Sequence, residues 1–190
     1  MTDISPLAAP GTAAAPSAVS WPAVFAGATV AMAVTLIFMT LAAGFSVGSF
    51  APWPNPGAGL ATFTVAAGVW LVVTQWVSAG VGGYVTGRLR TRWHGTHTHE
   101  VFFRDTANGL ITWALATVVV AGLGVFAGGG APDVAARAAI AAAEQPGATV
   151  EGIHKAAMGF AVFTAISMLI GAFIACVAAA LGGQQRDEHP

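Results

Sequence analysis

The residues best suited to chemistry lie in one short polar stretch of the chain. His94, His97, His99 and Glu100 supply three imidazoles and a carboxylate, which is the donor set of a zinc or other transition-metal site. In an extended segment His97 and His99 share one face, and Gly95 lets His94 approach them. A polar surface loop is the competing interpretation, because metal ligands usually come from separate elements held by surrounding hydrogen bonds.

The same loop has two other properties. Its histidines gain charge as the pH falls through about 6.5, so a pH-dependent contact with anionic lipid is an alternative to metal binding. Arg88, Arg90 and Arg92 form a basic cluster that we expect to face lipid headgroups. Asp105 or Thr106 is expected to cap the start of the next helix.

No arrangement typical of an enzyme occurs elsewhere in the sequence. Ser/His/Asp, paired-carboxylate and HExxH patterns are missing. The single cysteine, Cys176, excludes a disulfide framework and a cysteine-rich zinc site. We therefore expect a non-enzymatic protein that needs no cofactor, with a transition metal at the histidine loop as the one exception to consider.

Composition decides the class of protein. Of the 190 residues, 56% are hydrophobic and 8% are charged, whereas a soluble domain carries about 25% charged residues. A nucleic-acid partner is excluded because it requires a basic face. The composition predicts a polytopic membrane protein whose main partner is the lipid bilayer, including anionic headgroups.

The distribution of charge sets the number of helices. Residues 4–87, 106–132 and 156–185 contain no charged side chain, and a membrane-spanning helix needs about 20 apolar residues. The first segment is long enough for two helices, separated where Pro52, Pro54 and Pro56 prevent a continuous one. The sequence thus predicts an all-α bundle of four transmembrane helices, near 22–48, 60–87, 107–128 and 157–182.

The segments outside the helices complete the predicted architecture of one transmembrane domain over residues 21–183. Residues 1–20 are expected to be a disordered tail, and residues 184–190 a C-terminal tail. A short extra helix is expected at 133–144 in the outer loop, where Pro132 and Asp133 suit a helix start and Pro146 ends it.

Basic residues near the helix ends predict the orientation. Four helices place both termini and the 88–105 loop on one side of the membrane. That side carries five basic residues, and the other carries two: Arg88, Arg90, Arg92, Arg104 and Arg186 against Arg137 and Lys155. Both termini are therefore expected in the cytoplasm.

Small and polar residues within the spans indicate how the helices pack. Gly83 and Gly87 are four residues apart, as are Gly171 and Ala175, and such faces are expected to be intramolecular packing surfaces. Gln75 is the strongly polar residue within a span. It is expected to form an interhelical hydrogen bond, with a substrate site as the alternative.

Three segments together resemble a known family. They are residues 97–109 (HTHEVFFRDTANG), Ser20-Trp21, and residues 82–88 (GGYVTGR). The chain is similar over about residues 20–185 to uncharacterised small alphaproteobacterial multi-pass inner-membrane proteins, some labelled PhnA-like. The resemblance implies an inner-membrane location and about four spans, but no activity. The zinc-ribbon chemistry behind that label needs paired cysteines, so it does not transfer to a chain with one.

Three functions stay open on the sequence. The first is a non-enzymatic accessory subunit or homo-oligomeric structural component, with another copy or another membrane protein as its partner. The second is a small channel or permease component with a pathway past Gln75. The third is a metal-binding or pH-sensing membrane protein that uses the loop from His94 to Glu100.

Overall fold

Four long helices make up most of the residues that the structure describes. The computed structural model describes residues 17–48, 56–92, 97–126 and 149–188, together with residues 140, 143, 144 and 147. Within them, α1 is Trp21–Gly48, α2 is Pro56–Leu89, α3 is Thr98–Phe126 and α4 is Val150–Glu188, and no strand occurs. The predicted all-α class is confirmed.

Three of the helices are long and apolar enough to cross a membrane. They are α1 over Trp21–Ala42, α3 over Thr98–Leu123, and α4 over Val150–Glu188. The chain therefore has the character of a membrane protein, as its composition predicts.

The first two helices begin and end close to their predicted bounds, but α3 and α4 are longer. α3 starts at Thr98, so the predicted cap at Asp105 or Thr106 is wrong: Asp105 lies in the second turn of the helix and is buried. α4 continues to Glu188, so residues 184–188 of the predicted tail are helical. Glutamine, arginine and glutamate favour helix. In addition, Asp187 accepts a hydrogen bond from Arg90 at the end of α2.

The remaining predicted segments fall largely outside the described residues. Of the N-terminal tail only residues 17–20 are described, and the backbone amide of Ser20 donates to Asn108 Oδ1 over 3.1 Å, which fixes the entry into α1. In the loop before α4 the amide of Glu144 donates to the carbonyl of Ile140 over 3.2 Å. That bond has helical spacing, but residues 133–139, 141 and 142 of the predicted helix at 133–144 lie outside the described residues.

Helices α2 and α3 form the centre of the arrangement. Each of them contacts the other three helices, whereas α1 and α4 do not touch within the described residues. α2 and α4 run in the same direction, because Gly68 lies against Phe163 and, further along both helices, Gly87 lies against Ala179. The ends of α2 and α4 therefore meet the starts of α1 and α3 at one end of the bundle, here called the Arg90 end.

Glycine permits the close approach of backbones at this end. A Cβ added to Gly83 would collide with the backbone of Ala175, and one added to Gly87 would collide with the carbonyl of Ala179. On the other side of α2, a Cβ on Gly82 would lie 2.7 Å from the Ala31 Cβ. The predicted packing role of the small-residue faces is confirmed at these positions.

Large apolar side chains lie on the outside of the bundle. Leu169 is 73% exposed and Phe173 is 69% exposed, whereas the interior cluster is built on Ala28, Ala31 and Ala116. Lipid tails are as apolar as leucine, so in a bilayer large side chains can face outward without penalty. Small interior side chains then allow the helices to pack by backbone contact.

We expect the substitution Gly87→Ala to destabilise the bundle. The added methyl group would meet the carbonyl oxygen of Ala179 and the amide nitrogen of Gly183, and neither backbone atom can rotate away. Overpacking of this kind costs about 1–3 kcal/mol. The free energy of unfolding in mixed detergent micelles measures the loss.

Gly122→Ala is the matched control, since a Cβ there would meet nothing within 4 Å. It is expected to leave stability unchanged or slightly higher, because alanine is the better helix former. Equal losses in the two variants would contradict the close approach of α2 and α4.

Candidate functional site

The most concentrated chemistry of the described residues surrounds Arg90. This residue directly follows α2, and its side chain is only 1% exposed. Asp105 of α3 binds it through two contacts: Arg90 Nη2 donates to Asp105 Oδ2 over 2.9 Å, and Arg90 Nε pairs with Asp105 Oδ1. Asp187 of α4 accepts a hydrogen bond from Arg90 Nη2 over 2.7 Å. We refer to Arg90, Asp105 and Asp187 as the Arg90 cluster.

The cluster depends on the small residues beside it. Arg90 Nη2 also lies 3.3 Å from the carbonyl oxygen of Gly183. A Cβ at Gly183 would collide with the carboxylate of Asp105. Glycine at this position thus allows α4 to pass close enough for Asp187 to reach Arg90.

The guanidinium group of Arg90 has a raised pKa and stays protonated. Burial by itself lowers the pKa of Arg90, but the hydrogen bonds and charges of Asp187 and Asp105 outweigh burial, so the pKa is raised above its ordinary value. A raised pKa stabilises the fold at every pH below that ordinary value and loses its effect only as the pH rises through the folded value. Arg90 is therefore cationic at all pH values of biological interest.

Arg92 balances the second carboxylate. Arg92 Nη2 donates to the backbone carbonyl of Asp187, and Arg92 Nε lies 3.8 Å from Asp187 Oδ1. Two arginines thus face two aspartates, and the assembly is close to neutral. A near-neutral assembly suits a position at the end of membrane helices, where an unpaired buried charge is costly.

A row of polar side chains continues from the cluster along α3. Asp105, Asn108 and Thr112 follow at intervals of three and four residues, so they share one helix face, and all are buried. Asn108 Nδ2 donates to the carbonyl of Arg104 over 2.8 Å. The Thr112 hydroxyl lies 2.8 Å from that of Thr86 in α2. The bond between Thr86 and Thr112 joins α3 to α2, and the bond from the Ser20 amide to Asn108 Oδ1 joins α3 to the start of α1.

The predicted lipid-facing basic cluster is thereby corrected at Arg90. Its side chain is enclosed by α3 and α4, because the carboxylates of Asp105 and Asp187 surround it. Arg88 and Arg92 are half-buried. The spacing of the three arginines could not show which of them is buried, because burial depends on two aspartates that are distant in the sequence. The polar spacing of 105, 108 and 112 was the available signal.

The described part of the histidine loop, residues 97–100, does not form a metal site by itself. His97 and His99 are exposed, and the carboxylate of Glu100 accepts a hydrogen bond from Arg104 Nε over 2.7 Å. His94 lies outside the described residues. Among the described residues no group of three His, Cys, Asp or Glu side chains could hold a metal ion. Metal binding through His94 stays a prediction.

Gln75 lies where three helices meet. Its side chain is half-buried, and a Cβ at Gly171 of α4 would lie 3.2 Å from Gln75 Oε1 and 3.2 Å from Trp113 Nε1 of α3. The predicted hydrogen bond from the Gln75 side chain to another helix is not made within the described residues. Gln75 thus places its amide oxygen beside Gly171, next to Trp113.

A groove of about 360 Å³ opens beside the Arg90 cluster, between the start of α3 and the end of α4. Phe102 and Gln184 line it together with Asp105 and Asp187. Both of these aspartates are engaged by arginine, so the groove offers no free carboxylate from the cluster for acid–base chemistry. The ion pairs of the Arg90 cluster can hold the three helices together.

No family model, no curated protein and no solved structure matches the chain.

We expect Asp105→Ala to destabilise the protein most strongly of the changes in the Arg90 cluster. It would leave the guanidinium buried with only the half-exposed Asp187 as its carboxylate partner. Removing one partner of a buried ion pair costs about 3–5 kcal/mol. Equilibrium unfolding in detergent micelles measures the change, and Asp187→Ala should cost less because Asp187 is 39% exposed.

Glu151→Ala is the control, because it breaks an ion pair with Lys155 that is exposed on both sides. Exposed pairs contribute at most about 1 kcal/mol. If Asp105→Ala cost no more than Glu151→Ala, the Arg90 cluster would not be a principal source of stability.

Proposed function

We propose that the protein is a non-enzymatic, multi-pass protein of a bacterial inner membrane. In this proposal it is an accessory subunit or a homo-oligomeric structural component. The Arg90 cluster is the observation that carries the proposal. Its charged side chains bind one another and connect the end of α2 to α3 and α4. These ion pairs hold the bundle together.

The proposal includes four membrane spans, with α2 as the fourth. α2 has 34 residues and no charged side chain before Arg88. At about 1.5 Å per residue a helix of this length exceeds the ≈30 Å hydrocarbon thickness of a bilayer. It also packs against the three helices that are apolar enough to span, which supports the same depth for all four.

The proposed orientation places the Arg90 end in the cytoplasm. Arg88, Arg92 and Arg186 lie at this end, whereas Lys155 lies in the first two turns of α4 at the other end. This asymmetry follows the positive-inside rule. Half-buried Arg88 and Arg92 can also contact anionic headgroups at the same surface.

A small channel or permease component is the second candidate function. It is favoured by the polar groups around Gln75, where Trp113 Nε1 and Ser167 Oγ have no hydrogen-bonding partner among the described residues. Polar groups at membrane depth are typical of transport pathways. Against it, the backbones of α2 and α4 touch near Gly83 and Gly87, so a pathway between these two helices would be closed there.

Native mass spectrometry of untagged protein released from mild detergent tests the structural proposal. We expect a defined oligomer or a stable complex with another membrane protein. Reconstituted liposomes provide the second measurement, and we expect their ion and small-solute leak to equal that of protein-free liposomes. A monomer that produces selective flux would overturn the structural proposal in favour of the channel.

Fusions at the C-terminus test the orientation. With the Arg90 end in the cytoplasm, a fused green fluorescent protein is expected to fluoresce and a fused alkaline phosphatase is expected to be inactive. The two reporters need opposite compartments, so each serves as the control for the other. Active phosphatase with a dark fluorescent protein would invert the topology.

A further inference from the structure

We propose that α2, α3 and α4 together hold one internal water molecule beside Gly171. The site consists of Gln75 Oε1, Trp113 Nε1 and Ser167 Oγ. It is independent of the function proposed above, since it follows from the polar atoms alone.

Two buried atoms carry the proposal. Trp113 Nε1 and Ser167 Oγ are both buried and without a hydrogen-bonding partner among the described residues. Ser167 is 0% exposed. Buried polar atoms are almost always paired with protein or with ordered water, because an unpaired one loses its hydration without compensation. In a bilayer no solvent can fill that role from outside.

The positions of these groups converge on Gly171. A Cβ built on Gly171 would lie 3.2 Å from both Gln75 Oε1 and Trp113 Nε1. Ser167 lies four residues earlier in α4, so it shares the same helix face. The missing side chain of Gly171 thus lets the polar ends of Gln75 and Trp113 come within contact distance of α4, on the face that carries Ser167.

The hydrogen-bonding capacities match those of water. The Trp113 indole N–H can only donate, and Gln75 Oε1 can only accept, while the Ser167 hydroxyl can do either. A water molecule can accept from Trp113 and donate to Gln75, and its remaining capacity suits Ser167. Internal waters typically have about three such partners.

Packing and hydration both predict that Gly171→Ala lowers the melting temperature, so a direct observation of the water is needed as well. A Cβ at Gly171 would lie 3.2 Å from Gln75 Oε1 and from Trp113 Nε1, which is tighter than ordinary contact, and the indole ring is rigid. If the site holds water, the methyl group also displaces it and leaves polar atoms unpaired. We expect the melting temperature in detergent to fall by about 3–6 °C, while Gly122→Ala leaves it unchanged or higher.

Nuclear magnetic resonance of ¹⁵N-tryptophan-labelled protein in bicelles tests the site directly. Trp113→Phe identifies the Trp113 indole resonance. We expect this proton to show a rotating-frame Overhauser peak to water, of opposite sign to chemical exchange. The peak should persist in Gly122→Ala and disappear in Gly171→Ala.

Two results would overturn the proposal. One is the absence of a water peak at Trp113 in the unmodified protein. The other is a peak that survives in Gly171→Ala, which would place the water elsewhere. Should Gly171→Ala fail to fold, Ser167→Ala provides the second variant: it keeps Gly171 and Trp113, and it is expected to weaken the water peak, whereas an unchanged peak would remove Ser167 from the site.

Discussion

A guanidinium group with almost no access to solvent must keep anionic partners, and much of this fold follows from that need. Arg90 is buried at the end of α2, so the carboxylates of Asp105 and Asp187 have to reach it. Asp105 can do so only if α3 begins well before it, and Asp187 only if α4 continues as a helix beyond its apolar segment. The bounds of both helices are therefore consistent with the Arg90 cluster. Removing a carboxylate from this cluster would be costly, because the guanidinium group is buried.

The apolar part of the bundle obeys a different constraint. In lipid the burial of large side chains brings no gain, so close contact and a few polar bonds must hold the helices. Here alanine and glycine occupy the interior while leucine and phenylalanine lie outside. The Arg90 cluster and the close helix contacts both depend on Gly183. A side chain at this position would collide with the carboxylate of Asp105.

The polar interior is divided between two regions with different properties. Near the Arg90 end, the hydroxyl groups of Thr86 and Thr112 are hydrogen-bonded to each other, and Asn108 accepts a hydrogen bond from Ser20 at the start of α1. These bonds favour a fixed packing of the helices. Around Gly171, the polar atoms of Trp113 and Ser167 are left without protein partners in the described part of the chain. The first region holds the helices together, and the second is the place where we propose that a water molecule binds.

The sequence by itself determined the class of the protein: long charge-free segments and prolines sufficed for the all-helical character and for the limits of α1 and α2. Of the four spans that the sequence predicted, three are long and apolar enough to cross a membrane among the described residues. The sequence also predicted the packing face of Gly83 and Gly87, because local spacing places these residues on one side of a helix. Only the tertiary structure decided that the Arg90 side chain is buried while Arg88 and Arg92 are half-buried. Its partners are 15 and 97 positions away, and local spacing carries no information about contacts between distant segments. For the same reason Asp105 resembled a helix cap in the sequence, although in the fold it binds Arg90.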